Sequence, residues 1–200
     1  MLDPNDATTE YVSETFVGLV LSKQTLSHKE FDSCVFKDCD FSDGQFEHCK
    51  FIECEFINCN LSLLKPKYSR FMDVVFTGCK LIGIDWTTAH WSNMSLPAPM
   101  AFYRCVVNDS SFYGLYLAEL RLEECKVHDA DFREGDFHES NFAGCDFLNS
   151  VFNGSNLSRA NFEDAENYYI DLNVTNIKQA RFSRHEAVNL LSSLDIELLD

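Results

Sequence analysis

A period of five residues governs the hydrophobic pattern along most of the chain. From Phe31 to Leu61 a large apolar side chain stands at every fifth position, and a small residue stands two positions before most of them. The remaining positions are mainly polar or charged. An α-helix repeats every 3.6 residues and a β-strand every two, so neither standard template fits. A fixed period sustained over this length predicts a repeat architecture.

The same lattice covers nearly the whole chain. We name the large position the centre and the position two residues before it the small inward position. Centres run from Phe16 to Leu96 and, after a slip of one residue, from Phe102 to Phe182; all 18 phenylalanines fall on centres and all nine cysteines on small inward positions. These 34 centres predict about eight coils of four, and hence a rod on the order of 40 Å long at the ~4.8 Å spacing of β-strands.

Two runs carry a family resemblance. Residues 130–134 (ADFRE) and 160–164 (ANFED) resemble the unit of the pentapeptide-repeat family, with phenylalanine at its centre. The resemblance implies an all-β solenoid, a right-handed quadrilateral β-helix in which centre and small inward residues point into a narrow interior. One large and one small residue per side fill such an interior at native density. Each repeat is then buried only by stacking on the next.

The composition fits one domain and restricts its partners. The chain is 46% hydrophobic, and its net charge of −16 argues against direct binding of nucleic acid or of anionic membranes. No apolar run approaches the ~20 residues of a membrane span. The first six residues are acidic and lack the apolar segment of a secretory signal. We therefore expect a cytoplasmic protein.

The cysteines and histidines do not form a motif for metal binding or catalysis. The cysteine spacings follow the five-residue lattice, without a C-x₂-C pair, and the six histidines are scattered among polar positions. Buried cysteine behaves as a small hydrophobic residue, which predicts nine core fillers. A filled tube also offers no pocket for a nucleophile–base pair or paired carboxylates. We expect no metal, no cofactor and no enzymatic activity.

The lattice divides the chain into three segments. Residues 1–15 are predicted to form an N-terminal cap, with Tyr11 and Val12 as the start of an imperfect first coil, or else a disordered tail. Residues 16–182 are predicted to form the β-helix, and residues 183–200 a C-terminal helix and tail. Pro66 occupies a centre and removes a ladder donor, which predicts a bulge. Asn167 is a weak centre.

The segment from Trp86 to Met100 holds both tryptophans, two prolines and the phase slip, placed at residues 97–101. It is either a bend between two stacked solenoid segments or an exposed apolar knuckle that contacts a partner. Both interpretations stay open. The candidate contact residues are Trp91, Met94, Leu96, Pro97, Pro99 and Met100.

The period changes after Phe182. Ser183 and Glu186 match a capping box, S-x-x-E, and apolar residues at helical spacing follow. They exceed what is needed to close a tube about 10 Å across, so we predict a two-fold homodimer through the C-terminal helices. Capping without dimerisation is the alternative. The predicted interface consists of Val188, Leu190, Leu191, Leu194, Ile196 and Leu198.

Acidic residues concentrate in the second half of the lattice. From Glu119 to Asp171 there are thirteen acidic residues and four basic ones. One interpretation is a solvated surface that keeps the rod soluble. The other is an acidic rod with the girth of a DNA duplex, able to occupy a basic DNA-binding groove. The candidate partner-facing residues are Glu124, Asp129, Asp131, Glu134, Asp136, Glu139, Asp164 and Asp171.

A second, narrower resemblance concerns function. The regular repeats, the interruption with tryptophan and proline, and the C-terminal ending together resemble the topoisomerase-protecting branch of the family. That branch includes the Qnr-type quinolone-resistance proteins, the microcin B17 immunity protein and the albicidin-resistance protein. The likeness is greatest to the last, in residues 112–118 (FYGLYLA) and from Ala180 to Leu198. It implies a DNA-mimicking homodimer that binds DNA gyrase, or topoisomerase IV, and relieves a topoisomerase poison.

One departure bears on which poison is countered. The Qnr-type proteins carry projecting loops of several residues, whereas here a single residue breaks the phase. The sequence therefore favours an albicidin-like antibiotic over quinolones. The alternative function is an acidic scaffold that binds a protein other than a topoisomerase.

Overall fold

Consecutive coils of the backbone stack as parallel strands around four sides. In the computed structural model, which describes residues 7–91, 100–194 and 196–197, Phe31 pairs with Phe51 and Phe36 with Phe56. Each partner lies four pentapeptides further along the chain. The chain completes about eight such coils. The β-helix that the family resemblance implies is confirmed.

The four faces are named by the centre that each carries in the second coil: Phe31, Phe36, Phe41 and Phe46 for the first to the fourth face. The strands of the first face are Glu10–Val12, Glu30–Asp32, Lys50–Ile52 and Arg70–Met72. Those of the second face are Thr15–Val17, Val35–Lys37, Glu55–Ile57, Val74–Thr77, Met100–Tyr103, Arg121–Glu123, Asn161–Phe162 and Arg181–Phe182. Those of the fourth face are Thr25–Ser27 and Gln45–Glu47. Single bridges such as Asp40 to Asn60 join the coils on the third face.

The centres form columns of stacked rings inside the tube. On the second face the ring centroids of Phe36 and Phe56 are 4.7 Å apart, and those of Phe56 and Phe76 are 5.0 Å apart, with nearly parallel planes. Rings on adjacent faces meet edge to face, as Phe31 and Phe36 do at an interplanar angle of 75°. Both arrangements suit the quadrupole of the phenyl ring. The column explains why phenylalanine recurs at the same place in successive coils.

The small inward positions hold a ladder of thiols on the third face. Its members are Cys39, Cys59, Cys79, Cys105, Cys125 and Cys145. The Cys59 backbone N–H donates to Sγ of Cys79 at 3.3 Å, and the Cys59 thiol donates to the Phe36 carbonyl, also at 3.3 Å. Each thiol in the ladder thus pairs with backbone groups that water cannot reach. All nine cysteines are free and buried at small inward positions, as predicted.

The corners of the coil require a left-handed backbone. The residue two positions after a centre has positive φ at nearly every corner, as in Asp38 (53°) and Gly114 (64°). Glycine and short polar residues reach this region at the lowest cost, because a Cβ there crowds the following carbonyl. The polar residues of the five-residue lattice therefore have a backbone role as well as a solubility role.

The coil that contains the tryptophans is longer than the sequence lattice predicts. Cys59 and Cys79 meet in neighbouring coils at a separation of 20 residues, whereas Cys79 and Cys105 meet in the same way at a separation of 26 residues. The His90 backbone N–H donates to the Ser69 carbonyl at 2.9 Å, and Met100 pairs with Val74, 26 residues before it. The phase shifts by one residue, but the prediction that only one residue is inserted was wrong. Six residues are added. Five of them make up one full period, so they leave the phase of the lattice unchanged and cannot be detected from it.

The β-helix also begins earlier than residue 16. Glu10–Val12 pairs with Glu30–Asp32, and the Tyr11 ring stacks on Phe31 at 5.1 Å as the first centre. The predicted N-terminal segment therefore contributes the first strand of the first face.

A second adjustment lies near the other end of the rod. Asn167 is exposed, and Ile170 is buried where the lattice predicts Leu172. The bridge from Val151 to Tyr169 joins positions that are two residues closer in sequence than one full coil. The shift is local, because Asn156 pairs with Asn176 and Asn161 with Arg181 at the usual separation of 20 residues.

The short C-terminal helix is present, with 3-10 geometry, at Glu186–Leu194. Leu190 is buried at the end of the tube, and Ala187 packs beside it against the core. The Ser183 hydroxyl accepts from the Asp164 backbone N–H at 2.8 Å and donates to the Asp164 carboxylate at 3.0 Å. The predicted capping-box serine therefore ties the helix entry to the preceding coil. A second 3-10 turn spans Trp86–Thr88.

Candidate protein-interaction surfaces

Four of the predicted acidic residues form a ring around one coil. Glu124, Asp129, Glu134 and Glu139 occupy its four successive corners, each with φ between 54° and 60°. A corner residue projects away from the tube, so the four carboxylates point in different directions and all four are exposed. We name this set the acidic ring.

The other four predicted acidic residues are also spread around the rod. Asp131 and Asp171 lie on the fourth face, Asp136 lies on the first, and Asp164 lies at the corner between the second and third faces. Each position follows from the register of the coils. The structure brings Asp131, Glu134 and Asp136 together at one edge, whereas Asp164 and Asp171 lie in a later coil.

Local partners offset part of this charge. Arg133 donates two hydrogen bonds to the Asp131 carboxylate, at 2.9 and 2.7 Å, and thereby lowers the pKa of Asp131. Arg159 pairs with Glu139 at 2.6 Å. Within the described ranges, no ion pair holds Glu124 or Glu134. These two corners carry uncompensated negative charge.

The structure describes two residues of the predicted knuckle, and neither is fully exposed. Trp91 is half-buried, and its indole N–H donates to the Trp86 carbonyl at 2.8 Å. Met100 is 3% exposed within a strand of the second face, so it belongs to the core and not to an exposed knuckle. The remaining predicted contacts lie outside the described residues: Met94, Leu96, Pro97 and Pro99.

The predicted dimer interface divides into inner and outer residues. Leu190 is buried and Leu191 is half-buried. Val188, Leu194 and Ile196 are 49%, 40% and 53% exposed. Leu198 lies outside the described residues. The end of the rod therefore presents apolar side chains that the described chain does not cover.

One edge carries a feature that the sequence analysis missed. At the corner between the fourth and first faces, the rings of His28 and His48 stack at 5.1 Å, and so do those of His48 and Tyr68. The Lys67 ammonium lies 5.6 Å from the centre of the Tyr68 ring. Each of the three stacked residues lies one coil, or four pentapeptides, after the one before it. Comparison of residues four pentapeptides apart in the sequence would therefore have revealed the column.

A cleft of about 480 Å³ opens beside this corner, on the fourth face. Its lining includes Leu63, Lys65, Pro66, Lys67, Asp85 and Thr88. At the equivalent position one coil earlier, the Phe46 backbone N–H donates to the Lys65 carbonyl at 2.9 Å. Pro66 has no N–H with which to make the corresponding bond to the next coil. Along the described fourth face, bridges join Gln45 to Lys65 and Asp85 to Ser111, but none joins Lys65 to Asp85. The expected irregularity at Pro66 is thus a gap between coils and not an outward bulge.

Metal sites and membrane-spanning helices are absent from the part of the chain that the structure describes. Its histidine, cysteine and acidic side chains form no group of three or more suited to a metal ion. Burial raises the pKa of the Cys49 and Cys54 thiols to about 11, which keeps them protonated and unreactive. None of its helices is long and apolar enough to span a membrane.

Comparison with known proteins identifies the family. The model of the pentapeptide repeat region matches residues 29–99 and 95–162, more than half of the chain. The protein is therefore a member of the pentapeptide-repeat family. No curated protein matches it in a sequence search.

Solved structures show the same fold at low identity. A trypsin-treated variant of QnrB1, a plasmid-mediated fluoroquinolone resistance protein, matches with a TM-score of 0.71 at 20% identity, over 100% of this chain and 96% of its own. A second trypsin-treated variant of QnrB1 also matches with a TM-score of 0.71, at 16% identity, over 95% of this chain and 100% of its own. HetL matches with a TM-score of 0.59 at 15% identity, over 88% of this chain and 85% of its own. It is a pentapeptide repeat protein involved in heterocyst differentiation regulation in the cyanobacterium Nostoc sp. strain PCC 7120.

Proposed function

We propose that this protein is a DNA mimic that binds DNA gyrase, or topoisomerase IV, and protects it from a topoisomerase poison. The observation that carries the proposal is the combination of a long four-sided rod with the acidic ring, which directs carboxylates outward around the whole girth. A DNA duplex likewise presents negative charge around its circumference and along its axis. A net charge of −16 supports steering toward a basic groove.

The fold likeness to a fluoroquinolone resistance protein supports the same proposal, because it extends over the whole chain. The six added residues in the coil that ends at Cys105 remove the sequence argument against quinolones, which rested on a one-residue insertion. Both an albicidin-like antibiotic and a quinolone are therefore candidates. Resistance or self-immunity beside a toxin-producing pathway is the setting that we propose, in the cytoplasm, where gyrase acts.

A homodimer belongs to this proposal. The exposed side chains of Val188, Leu194 and Ile196 lie at one end of the rod, and a second copy related by a two-fold axis would cover them. The dimer would double the length of the acidic rod. It would also place the two acidic rings symmetrically about the junction.

The proposal requires binding and no chemistry. Interior side chains fill the tube, so we assign the protein no catalytic role. Protection would follow from competition with DNA for the enzyme.

The direct test is a DNA supercoiling assay with purified gyrase, titrated with this protein in the presence and absence of albicidin and of a quinolone. We expect supercoiling to recover against at least one poison as the protein concentration rises. Recovery against a single poison would also define the specificity. No recovery, together with no inhibition of supercoiling at high protein concentration, would eliminate a topoisomerase partner.

The second candidate function is an acidic scaffold for a different protein. One observation favours it: a cluster of basic residues near Tyr68 interrupts the acidic surface along the rod. HetL, which has the same fold, is involved in the regulation of heterocyst differentiation. Pull-down with the intact protein in a lysate containing both topoisomerases would separate the candidates by whether either enzyme is recovered.

A further inference from the structure

A quarter of the basic residues of this acidic protein cluster at one edge. Residues 45–50 and 65–70 contain four of the chain's 16 lysines and arginines and one of its 32 acidic residues. The register Lys50 to Arg70 places these segments side by side in neighbouring coils. We name this group the cationic edge: Lys50, Lys65, Lys67 and Arg70, with the rings of His48 and Tyr68 between them.

Part of this charge is available to a partner. Lys50 pairs with Glu30 at 2.7 Å, and Lys67 pairs with Glu47 at 3.3 Å. In the described ranges, no carboxylate lies within ion-pair distance of Lys65 or Arg70, and both side chains are exposed. Exposed ion pairs are weak enough for an incoming carboxylate to exchange with them.

The cationic edge borders an apolar opening. The cleft at Pro66 exists because the proline interrupts the ladder between Lys65 and Asp85. Leu63 and Pro66 supply apolar surface to it, while Lys65 and Lys67 stand on one rim. On the other side the Asp85 carboxylate is already engaged with the next turn, accepting from the Thr87 backbone N–H at 3.0 Å and from its hydroxyl at 2.6 Å.

From these features we infer that the cationic edge and the Pro66 cleft together form a docking site for a short acidic segment of a partner protein. Carboxylates of the segment meet Lys65, Lys67 and Arg70, and an apolar side chain enters the cleft. The exposed Tyr68 ring offers the rigid contact area that is enriched in protein interfaces. This site is separate from the acidic ring and does not depend on the proposed gyrase binding.

The size of the site favours a short segment over a nucleic acid. The cationic edge covers two coils, about 10 Å along the axis. On the first face Asp32 lies in the coil before it, and Asp73 follows Arg70 along the chain. A duplex extends well beyond two coils and would be repelled by the acidic surface on either side, whereas a short peptide can contact the basic side chains alone.

The test is selection from a phage-displayed library of random nonapeptides on the intact protein. Selected peptides are then synthesised with a fluorescent label, and binding is measured by anisotropy. The site variant is Lys65→Glu with Lys67→Glu. The matched control is Lys80→Glu with Lys126→Glu, which changes the net charge equally on the third face. A short fluorescent DNA duplex serves as the competing probe.

We expect the selected peptides to combine acidic with apolar residues and to bind the wild type and the control alike. Binding to the site variant should be about tenfold weaker or more. If that variant loses its far-UV spectrum, Tyr68→Ala with Arg70→Gln provides a milder replacement and the same expectation. No enrichment, selected peptides without acidic residues, equal binding to the site variant, or preferential binding of the duplex would each overturn the inference.

Discussion

At the scale of single residues, the left-handed corners explain much of the sequence. A corner must adopt positive φ whatever residue occupies it, and most of the described residues that do so are not glycine. Aspartate and asparagine are common there because their short polar side chains tolerate this region. Part of the acidity of this protein therefore follows from its backbone geometry, because each corner favours residues such as aspartate and directs their side chains outward.

Gly114 allows the backbone contribution to be tested alone. Its φ is 64°, and a Cβ built there would meet no other atom within 4 Å. Gly114→Val should therefore lose stability through backbone strain, by about 1–2 kcal/mol, without a steric clash. The measurement is urea unfolding followed by circular dichroism. Gly114→Asn is the control and should lose much less; equal losses would show that the corner conformation is not the cause.

Cys54 tests how tightly the interior is filled. It is fully buried, and its thiol donates to the Phe31 carbonyl at 3.4 Å. Cys54→Leu adds volume that the tube has no space for and should cost about 1–3 kcal/mol in the free energy of unfolding. Thermal unfolding followed by circular dichroism measures the loss.

Cys54→Ser is the matched control, because Ser110 and Ser150 occupy equivalent positions and make the same kind of bond to a preceding carbonyl. We expect it to be tolerated better than leucine in the same thermal unfolding measurement. A leucine variant as stable as the wild type would contradict the assignment of this position to the interior.

At the scale of elements, the C-terminal helix has two distinct sides. Leu190 closes the tube, whereas Leu194 and Val188 point outward. The same helix therefore contributes both to folding of the monomer and to the proposed dimer, and substitutions should separate the two contributions.

For the outer side, Val188→Asp with Leu194→Asp should give a folded monomer, because carboxylates would have to be buried without partners at the interface. Sedimentation velocity measures the mass, and circular dichroism checks the fold. A dimer that persists in this variant would place the interface elsewhere.

For the inner side, Leu190→Asp should lower the free energy of unfolding by at least roughly 2 kcal/mol, through lost apolar burial and desolvation of the new carboxylate. The unfolding temperature of the monomer, measured in the background of the outer-side double variant, isolates this effect from dimerisation. An unchanged temperature would mean that Leu190 does not close the tube.

At the scale of the whole molecule, the prediction concerns charge. Reversal of Asp131, Glu134 and Asp136 to lysine should leave the fold intact and weaken gyrase binding about tenfold or more, because like charges would face a basic groove. Surface plasmon resonance at two salt concentrations measures the affinity and its electrostatic part. Loss of the Arg133 pair should cost little stability, since that arginine is exposed.

The matched control reverses Asp38, Glu53 and Glu55 to lysine, which are exposed residues of the other half of the rod. Its net charge equals that of the first variant. Similar weakening by both variants would indicate a general charge effect and not a contact at the fourth-to-first edge. Unchanged binding and protection in the first variant would remove the argument for mimicry at that edge.

The sequence by itself determined the coil. A large residue every five positions, with a small one two before it, can be buried only in a narrow stacked tube, so residues such as Phe36 and Cys59 specify the interior directly. It also determined the position of the C-terminal helix, because the period changes after Phe182.

The tertiary structure alone decided which coils lie side by side. Five of the six added residues before Met100 were invisible to a five-residue lattice, because they form one full period. The gap below Pro66 and the meeting of Lys50 with Arg70 likewise depend on pairing between neighbouring coils. Surface sites in a solenoid arise between neighbouring coils, and that adjacency is a property of the stack and not of any local stretch of sequence.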